Sequence, residues 1–150
     1  MLQKIILLVS CCFFFSQNLM AQHDNLDKKN IAIQGYDPVA YFTVGKAVKG
    51  DKKFSTTHKN AIYRFSSAAN KALFVESPEK YAPQYGGWCA YAIGETGEKV
   101  SINPSTFKIL NGKLYLFYNE NFTNTLKLWN KNEAVLLEKA IKNWSKIISK

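Results

Sequence analysis

The chain has 150 residues, 47% of them hydrophobic and 14% aromatic, which predicts one domain with a sizeable core and excludes a wholly disordered chain. Its 20 Lys and Arg outnumber its 11 Asp and Glu, giving a formal net charge of +9, and Arg64 is its only arginine. Because proteins that read nucleic acid depend on arginine for paired contacts, we expect no nucleic-acid partner. The lysines favour solubility, with loose attraction to an anionic membrane surface as a secondary interpretation.

The first 21 residues have the pattern of a cleavable secretory signal. Lys4 supplies the positive start, residues 5–15 form an apolar run, and a more polar stretch ends at the small residue Ala21. The run is too short to span a bilayer, for which a helix needs about 20 residues, so we expect no transmembrane segment. This predicts a periplasmic or secreted product. The alternative is a lipoprotein anchored at Cys11, which follows Leu8-Val9-Ser10.

The mature chain is predicted to begin with a flexible leader over residues 22–30, followed by a folded domain over residues 31–150 that includes a C-terminal helix. Gly35 to Pro38 is typical of a turn, and residues 39–44 indicate a short strand. Residues 54–65 then favour a hairpin that turns at Lys59-Asn60.

A short middle helix is predicted from a Ser66 or Ser67 cap to about Glu76, ended by Pro78. The next stretch, to Trp88, is rich in proline, glycine and aromatic residues, and residues 89–93 favour a helix over a strand. Asn111-Gly112 predicts a second hairpin over residues 106–118, because these two residues accept the positive φ angles of a tight turn.

The C-terminal segment predicts a long amphipathic helix from an Asn132 cap to about Ile148. Its apolar stripe consists of Leu137, Ile141, Trp144 and Ile148, which should dock on the domain's own sheet. Together the elements predict an α+β fold: a small antiparallel sheet of hairpins packed with a short middle helix and this long helix.

Four blocks of the sequence together resemble the YHS domain family, in its exported single-domain branch. They span residues 35–42, 45–50, 63–67 and 77–90, within a match over about residues 31–118. The resemblance implies a small α+β module, and metal binding in the members found beside heavy-metal transporters. Those members carry cysteines about where this chain has Val39, Ser66 and Asn70, so their metal site does not transfer to this chain.

Cys89 is the only cysteine left once the signal is removed, so no intrachain disulfide is expected. Copper(I) favours thiolate and imidazole, and we therefore expect a metal site, copper above all, at Cys89 and His58. A buried structural thiol is the competing interpretation. His23 is treated as an accidental neighbour of the new N-terminus.

The alternative function is binding of a small molecule or a protein partner in an aromatic pocket around residues 81–91, with no metal. Rings with polar tips suit a mostly apolar pocket. The candidates are Tyr36, Tyr41, Tyr85, Trp88 and Tyr91.

An enzyme is not expected, because a lone cysteine with one histidine makes no catalytic constellation. Asp37, in the turn, is interpreted as structural. The sequence therefore predicts an exported, non-enzymatic binding module of undetermined oligomeric state.

Overall fold

The structure is a computed structural model that describes residues 23–150. It has an α+β fold, as predicted, with a long helix at its C-terminal end. The predicted signal peptide, its predicted end at Ala21 and the alternative lipidation at Cys11 lie outside the described residues. The helices are α1 (Ala40–Thr43), α2 (Ala68–Glu76), α3 (Pro78–Tyr81), α4 (Ala90–Glu95), α5 (Thr125–Lys131) and α6 (Glu133–Ile148). The strands are β1 (Asp51–His58), β2 (Ala61–Phe65), β3 (Asn103–Leu110), β4 (Lys113–Phe117), β5 (Asn119–Glu120) and β6 (Thr123–Asn124).

Both predicted hairpins are present, and each forms where two residues accept positive φ angles. Lys59 and Asn60 have φ of 47° and 67° between β1 and β2, and Asn111 and Gly112 have 50° and 72° between β3 and β4. The six strands pair with one another only within hairpins, so the described residues contain separate two-stranded sheets rather than one continuous sheet. The helices and the loop of residues 82–89 between α3 and α4, which we call the aromatic loop, therefore supply much of the packing between the hairpins.

The predicted strand over residues 39–44 is wrong, because that segment contains helix α1. Asp37 is the physical reason. Its Oδ1 accepts hydrogen bonds from the N–H groups of Val39 at 2.9 Å and Ala40 at 3.3 Å, which are donors that a helical turn leaves free at its start. The strand was predicted from the strand-forming side chains of this segment, which carry no information about these hydrogen bonds to Asp37.

The middle helix follows the sequence prediction. Ser67 Oγ accepts from the N–H of Asn70 at 3.1 Å, which caps α2, and α2 ends at Glu76 before Pro78. Residues 89–93 are also largely helical, as favoured, since they overlap α4.

Helix α6 has the predicted bounds, but only half of the predicted stripe packs on the core: Leu137 and Trp144 are partly buried against it, and the other two members are exposed. Leu136 and Ala140 are buried, whereas Ile141 is 59% exposed and Ile148 is 51% exposed. The partner is also different, because α6 packs chiefly on α4. Gly94 of α4 permits this contact, since a Cβ there would lie 2.7 Å from the carbonyl oxygen of Leu136.

The predicted flexible leader is, over residues 23–30, attached to the domain. Asn25 N–H donates to the carbonyl oxygen of Gly86 at 2.8 Å, and Leu26 forms a β-bridge with Ala32. Ordered contacts therefore begin before Ile31. In residues 23–150, none of the helices combines the length and the apolar character needed to cross a membrane.

Candidate binding cleft

One cavity of about 570 Å³ lies where the two ends of the described chain meet, and we call it the His58–Trp144 cleft. The N-terminal segment, the β1–β2 turn, α3, the loop before α4 and the end of α6 form its walls. Its lining includes His23, Asp24, His58, Lys59, Tyr63, Glu79, Tyr85 and Trp144. Its volume falls within the range of ordinary small-molecule sites.

Aromatic rings form the apolar wall of the cleft. The Tyr85 and Trp144 ring centroids lie 6.1 Å apart with the planes at 65°, a geometry favourable for two aromatic rings. Burial raises the pKa of Tyr85, and burial followed by the charges of Asp24 and Glu79 raises the pKa of Tyr63. Both phenols are therefore neutral over the physiological range.

Gly86 brings the N-terminal segment and the C-terminal helix together. It has a φ of +58°, and a Cβ at this position would lie 2.5 Å from Asp24 Oδ1 and 3.2 Å from Trp144 Cη2. No other residue type fits that gap without displacing Asp24. The glycine therefore sets how closely the Asp24 carboxylate approaches the Trp144 ring.

The N-terminal segment is held in the cleft wall by hydrogen bonds to the aromatic loop. The Trp88 indole Nε1–H donates to the carbonyl oxygen of His23 at 2.6 Å, and Asn25 Nδ2 donates to the carbonyl oxygen of Gly87 at 3.1 Å. With the Asn25 backbone bond described above, these contacts bracket Asp24. Its position is thus fixed from both sides.

Asp24 is the charged group of the cleft that the described protein leaves without a hydrogen-bond donor. Burial raises the pKa of its carboxyl above the ordinary 3.8, and the nearby cations, His23 first and then Lys59, only partly oppose the effect. No residue among 23–150 donates a side-chain or backbone hydrogen bond to the carboxylate. Such a group is a natural partner for a ligand donor.

Glu79, across the cleft, is already paired. Its Oε1 lies 2.6 Å from Lys59 Nζ and 3.0 Å from His58 Nε2. The hydrogen bond from Lys59, with a further one from His58, lowers the pKa of Glu79. His58 and Lys59 are therefore already paired with Glu79, and the Asp24 carboxylate remains available to accept a hydrogen bond from a ligand.

Cys89 lies in the core, where its side chain has no contact with solvent. Its side chain is 0% exposed, and its Sγ lies 3.3 Å from Thr125 Oγ1 and accepts from the N–H of Tyr118 at 3.4 Å. His58 instead contacts Glu79 and stacks edge-on with Phe74, so these contacts do not bring the two predicted ligands together. Within residues 23–150 no three His, Cys, Asp or Glu side chains form a group that could hold a metal ion.

The predicted ligand-binding aromatics are dispersed, and only Tyr85 lines the cleft. Trp88 supports it through the bond to His23, and Tyr91 is half-buried between the two halves of the core. Tyr41 is buried and its hydroxyl donates to the carbonyl oxygen of Pro104 at 2.8 Å. Tyr36 lies elsewhere, with Lys49 Nζ 4.5 Å from its ring centroid.

Asp37 has the structural role expected, because its buried carboxylate binds donors from a second segment of the chain. Its Oδ2 accepts from the Ser66 N–H at 2.8 Å, the Ser66 hydroxyl at 2.6 Å and Asn70 Nδ2 at 2.7 Å. Ser66 and Asn70 are thus donors to a buried carboxylate. This polar cluster joins the first turn to the start of α2.

Sequence reasoning missed the cleft residues at the chain ends. From the sequence alone, His23 is interpreted as accidental, Asp24 is predicted to lie in a flexible leader, and Trp144 is assigned only to the apolar stripe of the C-terminal helix. Nothing in the local sequence signals that residues 24 and 144 meet, because their contact is set by the folded domain between them. The density of glycine and aromatics at 81–88 was the one signal that pointed to this wall.

No protein-family model matches the chain, and neither a curated protein nor a solved structure matches it significantly. The resemblance to the YHS domain family therefore stays a prediction.

Proposed function

We propose that this chain is an exported, non-enzymatic binding module that holds a small organic molecule in the His58–Trp144 cleft. The observation that carries the proposal is the partly buried Asp24 carboxylate, which lacks a donor among the described residues and lies beside an aromatic wall. Export comes from the sequence of the first 21 residues and is part of the same proposal.

The chemistry of the cleft selects a ligand with an apolar body and a donor group, best an amine. The rings of Tyr63, Tyr85 and Trp144 offer apolar contact, and aromatic faces also attract cations. An ammonium group pairs with Asp24, whereas a carboxylate in the same place would repel it. The ion pair between Lys59 and Glu79 leaves both of those charges already compensated.

The structural setting of Cys89 favours this function over copper handling and over thiol catalysis. A metal ion or substrate would have to open the core to reach a side chain that is 0% exposed. The cleft needs no such opening, since it is a concave site in the structure as it stands.

The test is a titration of the 15N-labelled protein followed by NMR, with benzylamine, benzyl alcohol and benzoate as matched probes. We expect benzylamine to shift the Trp144 indole and Gly86 amide resonances and to bind more tightly than the other two probes. Asp24→Asn should weaken benzylamine binding at least tenfold, which is about 1.4 kcal/mol, while benzyl alcohol changes little. Glu95→Gln, on the exposed end of α4, removes the same charge elsewhere and is the control.

Two outcomes would contradict the proposal. One is that none of the three probes shifts the cleft resonances, and the other is that Asp24→Asn binds benzylamine as the unmodified protein does. A parallel copper(I) titration tests the metal hypothesis. If the protein binds copper and both Cys89→Ser and His58→Ala abolish that binding, the functional site would be a metal site at those two residues.

A further inference from the structure

A second concave site lies on the other face of the β1–β2 hairpin. Successive residues of a strand point to opposite faces, so Tyr63 faces the first cleft while Ile62 and Arg64 face the second. This site has a volume of about 270 Å³ and is lined by Lys29, Ile31, Lys52, Ser55, Ile62 and Arg64. Its charged lining residues are all cations.

Arg64 is the unusual group in this site. Its Nε is the one buried side-chain nitrogen or oxygen in residues 23–150 that has no hydrogen-bond partner. Buried polar atoms are normally paired, and no described residue accepts a hydrogen bond from this nitrogen. Because Nε itself is buried, an anion in the site would first meet the Nη groups of the same guanidinium. A guanidinium presents its donors as a planar fork that matches two oxygens of one anion.

The nearby carboxylates are committed to backbone groups. Asp27 Oδ1 accepts from the N–H groups of Lys29 at 2.8 Å and Ile31 at 2.9 Å, and Asp51 Oδ1 accepts from the N–H of Lys53 at 2.9 Å. Arg64 is close enough to help lower the pKa of both acids, yet no salt bridge joins it to a carboxylate within the described residues. The two acids therefore moderate the positive charge without occupying the guanidinium.

Two glycines let the neighbouring backbone approach Arg64 closely. A Cβ on Gly35 would lie 3.6 Å from Arg64 Cδ, and a Cβ on Gly50 would lie 2.5 Å from the Arg64 carbonyl carbon. Gly35 and Gly50 also bond to each other through the Gly50 N–H and the Gly35 carbonyl oxygen at 2.9 Å. Gly50 therefore cannot carry a side chain without displacing the Arg64 backbone.

We propose that this site binds a small oxyanion, a phosphate or carboxylate group, with Arg64 as its main donor and Lys29 and Lys52 as flanking charges. The Ser55 hydroxyl adds a neutral donor, and Ile31 and Ile62 form an apolar floor. The site is separate from the His58–Trp144 cleft, and the inference stands whether or not the cleft binds an amine.

The experiment measures binding of inorganic phosphate and of acetate to the full protein by calorimetry, with NMR detection of the Arg64 Nε–H resonance. We expect phosphate to shift that resonance and Arg64→Gln to weaken phosphate binding at least tenfold. Arg64→Lys should retain part of the affinity, since it keeps the charge but loses the fork. Higher NaCl should weaken binding, as for any partly exposed charge pair.

Lys113→Gln is the matched control, because Lys113 is an exposed lysine on the other hairpin. An equal loss in Lys113→Gln and Arg64→Gln would overturn the proposal, since it would mean diffuse attraction to a cationic surface. Unchanged phosphate binding in a correctly folded Arg64→Gln, verified by its NMR spectrum, would overturn it as well.

A vesicle arm identifies the source of the anion. If the protein sediments with phosphatidylserine vesicles and Arg64→Gln abolishes this co-sedimentation, the oxyanion belongs to a lipid headgroup. Phosphate binding without vesicle binding assigns it to a soluble ligand.

Discussion

Asp37 has no exposed surface, yet both of its carboxylate oxygens are fully engaged with donors from two segments. Asp37→Asn keeps the shape but replaces one oxygen by an NH₂ group that faces other donors. We expect a loss of roughly 2 to 3 kcal/mol in the free energy of unfolding, because bonds to a buried charge are lost and donors are left unpaired. Urea denaturation measures this. The exposed control Glu95→Gln should change little, and equal stabilities of the two variants would contradict a structural role for Asp37.

The burial of Cys89 predicts protection of its thiol in the native protein. A thiol reagent should leave the peptide that contains Cys89 unmodified under native conditions and modify it fully in denaturant, as read by mass spectrometry of the digested protein. Local opening of the core is required for reaction, so the native rate should follow the free energy of that opening. Rapid labelling of Cys89 in the native protein would mean that its sulfur is accessible to solvent, and a copper site at Cys89 would again be a candidate.

At single positions, the sequence indicated residue chemistry better than residue location. The structural interpretation of Asp37 followed from its place beside Pro38, and the structure bears it out. The choice between a reactive and a buried Cys89 could not be made, because burial depends on Tyr118 and Thr125, which are distant in sequence. Asp24 had no local signal at all, since a carboxylate before Asn25 is also typical of a solvated leader.

Helix α6 shows why a periodic apolar pattern can predict a helix correctly and still predict the wrong buried face for it. Leu136 and Leu137 are adjacent, so two overlapping stripes fit the same helix, and the predicted stripe is the one that begins at Leu137. The buried face instead follows the partner helix α4, where Gly94 permits close approach and Ala140 fits beneath it. The hairpins were predictable because their turns depend on two adjacent residues each.

A pair of alanine variants distinguishes the two faces of α6. Leu136→Ala should cost roughly 2 to 5 kcal/mol of unfolding free energy, since it leaves a cavity against α4. Ile141→Ala should change stability by about 0.5 kcal/mol or less, because its side chain is 59% exposed. Chemical denaturation of both variants measures the difference. A larger loss of unfolding free energy in Ile141→Ala than in Leu136→Ala would show that the stripe predicted from the sequence is the buried face.

Over the whole molecule, the first and last described segments meet at one cleft, and that meeting places a carboxylate in a partly buried position. Burial raises the pKa of Asp24, so the folded state holds its proton more tightly than the unfolded state. The contribution of Asp24 to stability is therefore complete below its ordinary pKa of 3.8 and is lost as pH rises through the higher folded pKa. At neutral pH the ionised, partly buried Asp24 therefore lowers the stability of the ligand-free protein, as groups in binding sites often do.

Asp24→Asn should therefore raise the melting temperature at pH 7, and the gain should disappear as the pH falls below 3.8. Glu95→Gln removes the same charge from a protein of net charge +9 without relieving any burial, so it should give no comparable gain. Melting curves from pH 3 to pH 8 with and without benzylamine provide the measurement. Benzylamine should stabilise the unmodified protein more than the variant, because the ammonium group pairs with the carboxylate that burial penalises. A variant that melts lower at pH 7 would mean that the carboxylate already has a stabilising partner, and the cleft would then lack the free acceptor on which amine binding depends.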